Sequence, residues 1–227
     1  MIDLQDFWNK NSARIPDDKG HSLYAAEKEK EFPRNSKVCD LGGGTGTDSI
    51  YFAEKWHVVV LVDIADEPLA KAEAHANELD LTGKLKTFQC DFSFGKLPLE
   101  DESVDIVYSR LALHYFESKV LAQLFSEVYR ILRNGGKSYL SLKSPDDAAE
   151  MKFLSTTATE QEEGVFNEDG RIKTRYTIER LEKILGDANI PAGDFKVTAY
   201  TEKLDNGNDI VKSGVDEFIV NEVTISK

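Results

Sequence analysis

The order of short apolar runs and helical patterns between Lys37 and Leu142 constrains this chain more than any other feature. The runs KVCDL (37–41), WHVVVLV (56–62), KLKTFQC (84–90), VDIVYS (104–109) and KSYLSL (137–142) are rich in β-branched or aromatic residues, are bounded by turn residues, and read as strands. Helical patterns separate them over 47–55, over 67–80 with Pro68 near its start, and over 117–133. In the last of these, Val120, Leu121, Leu124, Phe125, Val128, Ile131 and Leu132 share one face, and Gly135-Gly136 is expected to end the run. Strand alternating with helix demands crossover connections, which build a parallel sheet covered on both faces. The uninterrupted VVVLV suits a strand buried on both sides.

Beyond Leu142 the pattern changes. Residues 144–175 are polar and weakly periodic, and TIERLEKILGD (177–187) reads as a helix. FKVTAYTEKL (195–204) and EFIVNEVTISK (217–227) read as strands joined by the turn-rich DNGNDIVKSG, and with no helix between them they are expected to be antiparallel neighbours. No Pro/Ser-rich or low-complexity stretch divides the 227 residues, so one main domain with an appended substrate-facing part is expected.

A net charge of −13 opposes nonspecific attraction to nucleic acid or an anionic membrane, which leaves a small molecule or a protein as the substrate. Cys39 and Cys90 are too few for a disulfide framework or a cysteine metal cluster and are expected to be small buried hydrophobes. His21, His57 and His75 show no metal-ligand spacing, so no metal is expected. The first twenty residues lack the continuous apolar core of a signal peptide and no window has about 18 apolar residues, so the expected location is cytoplasmic. The runs EKEKEF (27–32) and ATEQEE (158–163) are expected to be solvated faces or loop.

The stretch VCDLGGGTGTDSIYFA (38–53) carries the chemistry. It places glycines between a strand and a helix, where Gly42, Gly44 and Gly46 permit positive φ and keep side chains away from a ligand, and where the helix start offers unpaired N–H groups. The dinucleotide-binding glycine spacing is broken, because Thr47 and Ser49 stand where glycine or alanine would be needed, and no Gly-Lys-Ser/Thr of a P-loop follows. Asp40 just ahead of the glycines would repel a pyrophosphate and suits a cation. Asp63 ends the second strand at the distance where an acid takes both ribose hydroxyls, and Asp91 with Phe92 ends the third, pairing an acceptor with an aromatic face for adenine.

Together VCDLGGGTG (38–46), VVLVDIA (59–65), FQCDFSFGKLPLEDESVDIVYSRLALHYF (88–116) and EVYRILRNGG (127–136) resemble the class I S-adenosylmethionine-dependent methyltransferases of the small-molecule type. The resemblance spans about residues 36 to 143. It implies an α/β, Rossmann-like, doubly wound seven-stranded sheet of order 3-2-1-4-5-7-6 with strand 7 antiparallel. It further implies that the cofactor is S-adenosyl-L-methionine. Asp40, Gly42, Gly43, Gly44 and Gly46 would surround its methionine part, with Asp40 reaching the ammonium directly or through water. Asp63 would hold the ribose, Ile64 would pack on adenine, and Asp91 and Phe92 would read the adenine edge. Ser109 and Arg110 would line the methionine side. By the same likeness residues 1–36 form an N-terminal helical lid on a methyltransferase domain of 37–227, with 144–193 as an acceptor-pocket insertion.

Methyl transfer from a sulfonium is an in-line displacement, so alignment dominates and a base is needed only for an acceptor that keeps its proton. His114 is the candidate base and, with Tyr115, the candidate pocket wall, while Leu111, Leu113 and Phe116 are expected to begin a buried helix. Trp8 and Tyr24 are candidates to close over the cofactor. The competing reading is a non-catalytic module binding S-adenosylmethionine or a nucleotide; a nicotinamide oxidoreductase fails at the glycine spacing and at Asp40.

Overall fold

The computed structural model describes residues 3–12, 20–204 and 216–227. In chain order the elements are α1 (Leu4–Ser12), α2 (Leu23–Lys28), β1 (Lys37–Leu41), α3 (Thr47–Glu54), β2 (Val58–Asp63), α4 (Asp66–Glu78), β3 (Leu85–Gln89), β4 (Val104–Arg110), α5 (Ser118–Ile131), β5 (Leu132–Lys143), α6 (Ala148–Thr157), β6 (Thr159–Glu162), β7 (Val165–Glu168), β8 (Arg171–Thr174), α7 (Ile178–Asp187), β9 (Phe195–Lys203) and β10 (Glu217–Ile225). The main sheet has the order β3-β2-β1-β4-β5-β10-β9. Its first five strands pair in parallel, and β10 runs antiparallel to both β5 and β9. Numbered within this sheet, the order is the 3-2-1-4-5-7-6 expected. DNGNDIVKSG lies outside the described residues.

The two-residue period of each strand divides the core into two layers. Cys39 and Leu41 of β1, with Val60 and Val62 of β2, face α5 and α7 through Leu121, Leu124, Phe125, Leu181 and Ile184. Val38, Val59 and Leu61 face the opposite layer, where Tyr24, Ile50, Phe52, Leu69 and Ala72 of α2, α3 and α4 cover the sheet. Strand order reverses between β1 and β4, so α3 and the segment after β4 diverge and leave a crevice beyond the carboxyl ends of the strands.

Four expectations need correction. Gly135-Gly136 does not cap the helix: Leu132 already has extended backbone, and the glycines lie inside β5. There the pairing steps from Val104↔Leu132 to Ile106↔Lys137, Gly135 takes φ +81°, and a Cβ on Gly136 would stand 2.8 Å from the Arg133 carbonyl oxygen and 3.0 Å from that of Asp105. The pair builds a bulge where two backbones crowd together. Residues 144–175 form α6 and an antiparallel sheet of order β6-β7-β8, with Asp147 capping α6 through the Ala149 and Glu150 N–H groups. Lys28, inside the charge run EKEKEF, is buried and pairs with Glu222 at 2.7 Å under the Tyr200 ring, so that part of the run belongs to the interior. Cys90 is only half-buried, unlike the buried Cys39. Among the described residues no helix is long and apolar enough to cross a membrane.

Candidate active site

A cavity of about 1180 Å³ occupies the crevice at the strand-order reversal. Its floor is the glycine turn after β1, one wall is the segment 89–94 after β3, and the other is the segment 110–116 after β4. Helix α1 and strand β8 cover it. Gln5 and Asn9 of α1 both donate to Asp66 Oδ1, at 2.9 and 2.8 Å, and the Glu67 N–H donates to Asn9 Oδ1 at 3.2 Å, which ties α1 to the first turn of α4. Trp8 packs edge-on against Tyr115 with ring centres 4.9 Å apart, and the Arg171 guanidinium lies 4.2 Å over the Phe7 ring.

The glycines divide the work among themselves. Gly44, at φ +56°, has no atom within 4 Å of where a Cβ would stand, so its bare backbone opens on the cavity. Gly42, at φ +72°, lets Ala112 approach, since a Cβ there would lie 2.4 Å from the Ala112 Cβ. Gly43 covers the Asp40 carboxylate, whose Oδ2 would lie 2.4 Å from an added Cβ. Gly46 is absent from the lining; at φ +74° it admits Ala72 of α4, 2.8 Å from a would-be Cβ.

Three carboxylates gather beneath and beside this turn. Asp40 is 1% exposed; Ser49 donates to its Oδ2 at 2.6 Å, while Oδ1 has no hydrogen-bond partner among the described residues. Burial, reinforced by the charges of Asp48 and Asp63 and opposed by the Ser49 hydrogen bond, pushes the Asp40 carboxyl up to about 8. Asp63 accepts from the Gly44 N–H at 2.9 Å and from the Ala65 N–H at 2.9 Å, and burial raises its pKa against those hydrogen bonds. Asp48, which the sequence reading passed over, lies in the first turn of α3 and also lines the cavity. It accepts from the Ser22 N–H at 2.7 Å, the Ser22 hydroxyl at 2.9 Å and the Tyr108 hydroxyl at 2.7 Å. The one available signal was an acid at a helix N-terminus; its partners come from distant segments.

The remaining candidates fall into two groups. Ile64, Asp91, Phe92 and Arg110 line the cavity. Asp91 caps the short 3₁₀ turn Phe92–Phe94 by accepting from the Ser93 N–H at 3.0 Å and the Ser93 hydroxyl at 2.5 Å, and Arg110 pairs with the buried Glu202 at 2.5 Å. Ser109, Tyr24 and His114 do not line it. The Ser109 hydroxyl donates to the Leu41 carbonyl at 2.8 Å and braces β4 against β1. The Tyr24 hydroxyl donates to Glu222 of β10 at 2.8 Å. His114 is 2% exposed, its ring lies tilted against Tyr115 with centres 4.3 Å apart, and Nδ1 has no partner among the described residues. Burial first, then the charges of Arg175, Lys143 and Lys173, hold its pKa well below the ordinary imidazole value. Tyr115 and Phe116 face the cavity from the same segment.

Residues 38–136 match the model of a methyltransferase domain. Over 101 residues the chain is 39% identical to malonyl-[acyl-carrier protein] O-methyltransferase of Pectobacterium atrosepticum, covering 44% of this chain and 36% of that protein. Over 113 residues it is 31% identical to sarcosine/dimethylglycine N-methyltransferase of Aphanothece halophytica, covering 48% and 39%. The matched segment thus spans little more than a third of the length of these relatives. An S-adenosylmethionine-dependent methyltransferase structure from Methanosarcina mazei superposes with a TM-score of 0.70 at 20% identity, covering 91% of this chain and 99% of that one. Burkholderia thailandensis 1,6-didemethyltoxoflavin-N1-methyltransferase, solved with 1,6-didemethyltoxoflavin and S-adenosylhomocysteine, superposes with a TM-score of 0.63 at 17% identity, covering 89% and 76%. At these identities the superpositions establish the fold. Sheet order, glycine turn and family match agree: residues 38–136 match a methyltransferase domain, and the fold is the one shared by these S-adenosylmethionine-dependent methyltransferase structures.

Proposed function

We propose that the cavity binds S-adenosylmethionine and that the protein catalyses transfer of its methyl group to a small-molecule acceptor. The observation that carries this reading is Asp40: a buried carboxylate with one oxygen unpartnered among the described residues, crowded by two further carboxylates, at the cavity floor beneath bare glycine backbone. A buried cluster of carboxylates favours a cationic ligand, and the cofactor's methionine end carries an ammonium and a sulfonium. Bound there, the sulfonium supplies an electrophilic methyl on a good leaving group.

The chain's own residues bind and align. Asp40 takes the ammonium and Gly44 leaves room beside it. Asp63, its carboxylate fixed by two backbone N–H groups, keeps lone pairs for the ribose hydroxyls. Ile64 and Phe92 pack against the adenine, with Asp91 at its edge, and Arg110 lies on the methionine side. Gly46 and Ser109 act one layer behind, packing α3 on α4 and β4 on β1. Ligand pockets commonly run to about 300–1,000 Å³. A cavity of about 1180 Å³ has room for cofactor and acceptor together. The relative that acts on sarcosine and dimethylglycine supports an acceptor of modest size. His114 is sealed behind Tyr115 and disfavours its charged form, which argues against a base at that position. The N-terminal lid reading is supported for α1 alone, which covers the cavity and is latched to α4.

Titration calorimetry with S-adenosylhomocysteine tests binding, and release of S-adenosylhomocysteine from S-adenosylmethionine across a metabolite panel tests transfer. Asp63→Ala should weaken binding by about 10- to 150-fold, the worth of a charge-assisted hydrogen bond. Unchanged affinity would remove Asp63 from the proposed site.

A further inference from the structure

We propose that the acceptor is an organic anion, an apolar body with a carboxylate or phosphate head, and that Arg171 and Lys173 of β8 hold that head. The inference rests on the methyltransferase reading of the cavity and goes beyond it by naming the acceptor's chemistry.

Apart from Arg110, which pairs with Glu202, and Asp3 just ahead of α1, charge is segregated along the cavity. Asp40, Asp48 and Asp63 stand at the ends of β1 and β2 and at the start of α3, whereas Arg171 and Lys173 come from the covering strand. Both cations are largely withdrawn from solvent, with side chains 20% and 13% exposed, and both pair with one carboxylate, Glu168, at 2.5 and 2.8 Å. The layer behind repeats the imbalance, since Lys143 and Arg175 both pair with Glu150. Among the described residues four cations thus share two carboxylates, in a chain whose net charge is −13. Burial first, then the charges of Arg175, Lys143 and Lys173, hold the His114 pKa well below the ordinary imidazole value, so it neither adds to the excess nor balances it.

An excess of cation in a poorly solvated wall is costly unless an anion completes it. The Phe7 ring under Arg171 meets part of that cost on one face, and since Nε and Nη2 already donate to Glu168, the Nη1 side of the guanidinium is the part placed to donate to a ligand. The rings of Phe7, Trp8 and Tyr115 form the apolar surface beside the two cations. An amine acceptor in its protonated state would meet uncompensated like charge at this wall, so the same residues select against it.

The test uses four probes of similar size: phenylacetate, phenyl phosphate, 2-phenylacetamide and 2-phenylethylamine. Each is titrated into the full chain with and without saturating S-adenosylhomocysteine. The anions should bind at least about tenfold more tightly than the amide, and the ammonium probe should be weakest; the tighter anion identifies the head group. Arg171→Gln and Lys173→Met should each cut anion affinity about tenfold or more and leave amide affinity unchanged, while Lys173→Arg should retain the preference. S-adenosylhomocysteine affinity should stay within about twofold in all three variants, which also reports that they fold. The proposal is overturned if neither anion binds saturably, if the amide matches the anions, or if the neutral variants keep the preference. It is overturned equally if both variants lose S-adenosylhomocysteine in parallel, because the cations then serve the cofactor's own carboxylate. A wild type that ignores S-adenosylhomocysteine but prefers the anions refutes the methyltransferase reading instead.

Discussion

Cofactor binding should expel a proton from Asp40. Burial and the neighbouring Asp48 and Asp63 push this carboxyl up to about 8. At pH 7, before ligand is added, it is therefore about 0.9 protonated, and at pH 8 about 0.5. An ammonium placed against the carboxylate favours the ionised form, so binding at pH 7 should release close to one proton, falling to about half a proton at pH 8. By the same linkage the affinity for S-adenosylhomocysteine should rise by about tenfold per pH unit between pH 6 and 7 and flatten as pH passes 8. Calorimetry at pH 7 in phosphate and in Tris, whose ionisation enthalpies differ widely, reads the proton count as the slope of observed heat against buffer heat. Asp40→Asn should remove most of that slope and leave a remainder from Asp63, whose pKa burial also raises. A slope near zero in the wild type, or one unchanged in Asp40→Asn, would refute the assignment of the cation to Asp40.

The same carboxyl affects stability with a definite sign. Its pKa is higher folded than unfolded, so its contribution is fully present below about pH 4 and is lost as pH rises towards 8; thermal melts of Asp40→Asn should lose this part of the decline. Gly44→Ala should cost about 1 kcal/mol of stability for its positive φ and chiefly weaken cofactor binding, whereas Gly46→Ala should cost about 2–5 kcal/mol because its methyl meets Ala72; equal melting shifts would sink the distinction. Tyr108→Phe takes one donor from the Asp48 carboxylate and should destabilise the protein by about 1–3 kcal/mol in urea titrations, with a null effect contradicting the buried network. His114→Gln should leave the pH profile of turnover unmoved, and loss of an inflection near neutrality would restore it as a base.

Much of the fold was legible because local rules point the same way along the first 143 residues. Apolar runs of period two alternate with helical faces, and together they leave a parallel sheet as the solution. The runs at 37–41 and 104–109 matched β1 and β4 to within a residue. The glycine turn was readable because positive φ at Gly42, Gly44 and Gly46 is a local steric requirement. Strands β6, β7 and β8 were not legible: each has four residues, and TEQE of β6 is polar and exposed throughout, which leaves no periodicity to detect.

The sequence by itself thus determined the sheet, the turn and the line of acids at successive strand ends, all consequences of neighbours along the chain. Tertiary structure alone decided which glycine faces the cavity and which faces Ala72. It also buried Asp40 with one oxygen unpartnered among the described residues, and joined Asp48 to Ser22 and Tyr108, 26 and 60 residues away. It set His114 behind Tyr115 and drew Arg171 and Lys173 onto one carboxylate over the cavity. The physical reason is that burial and charge pairing depend on which distant segments come into contact, and those contacts are fixed by packing across the sheet rather than by spacing along the chain.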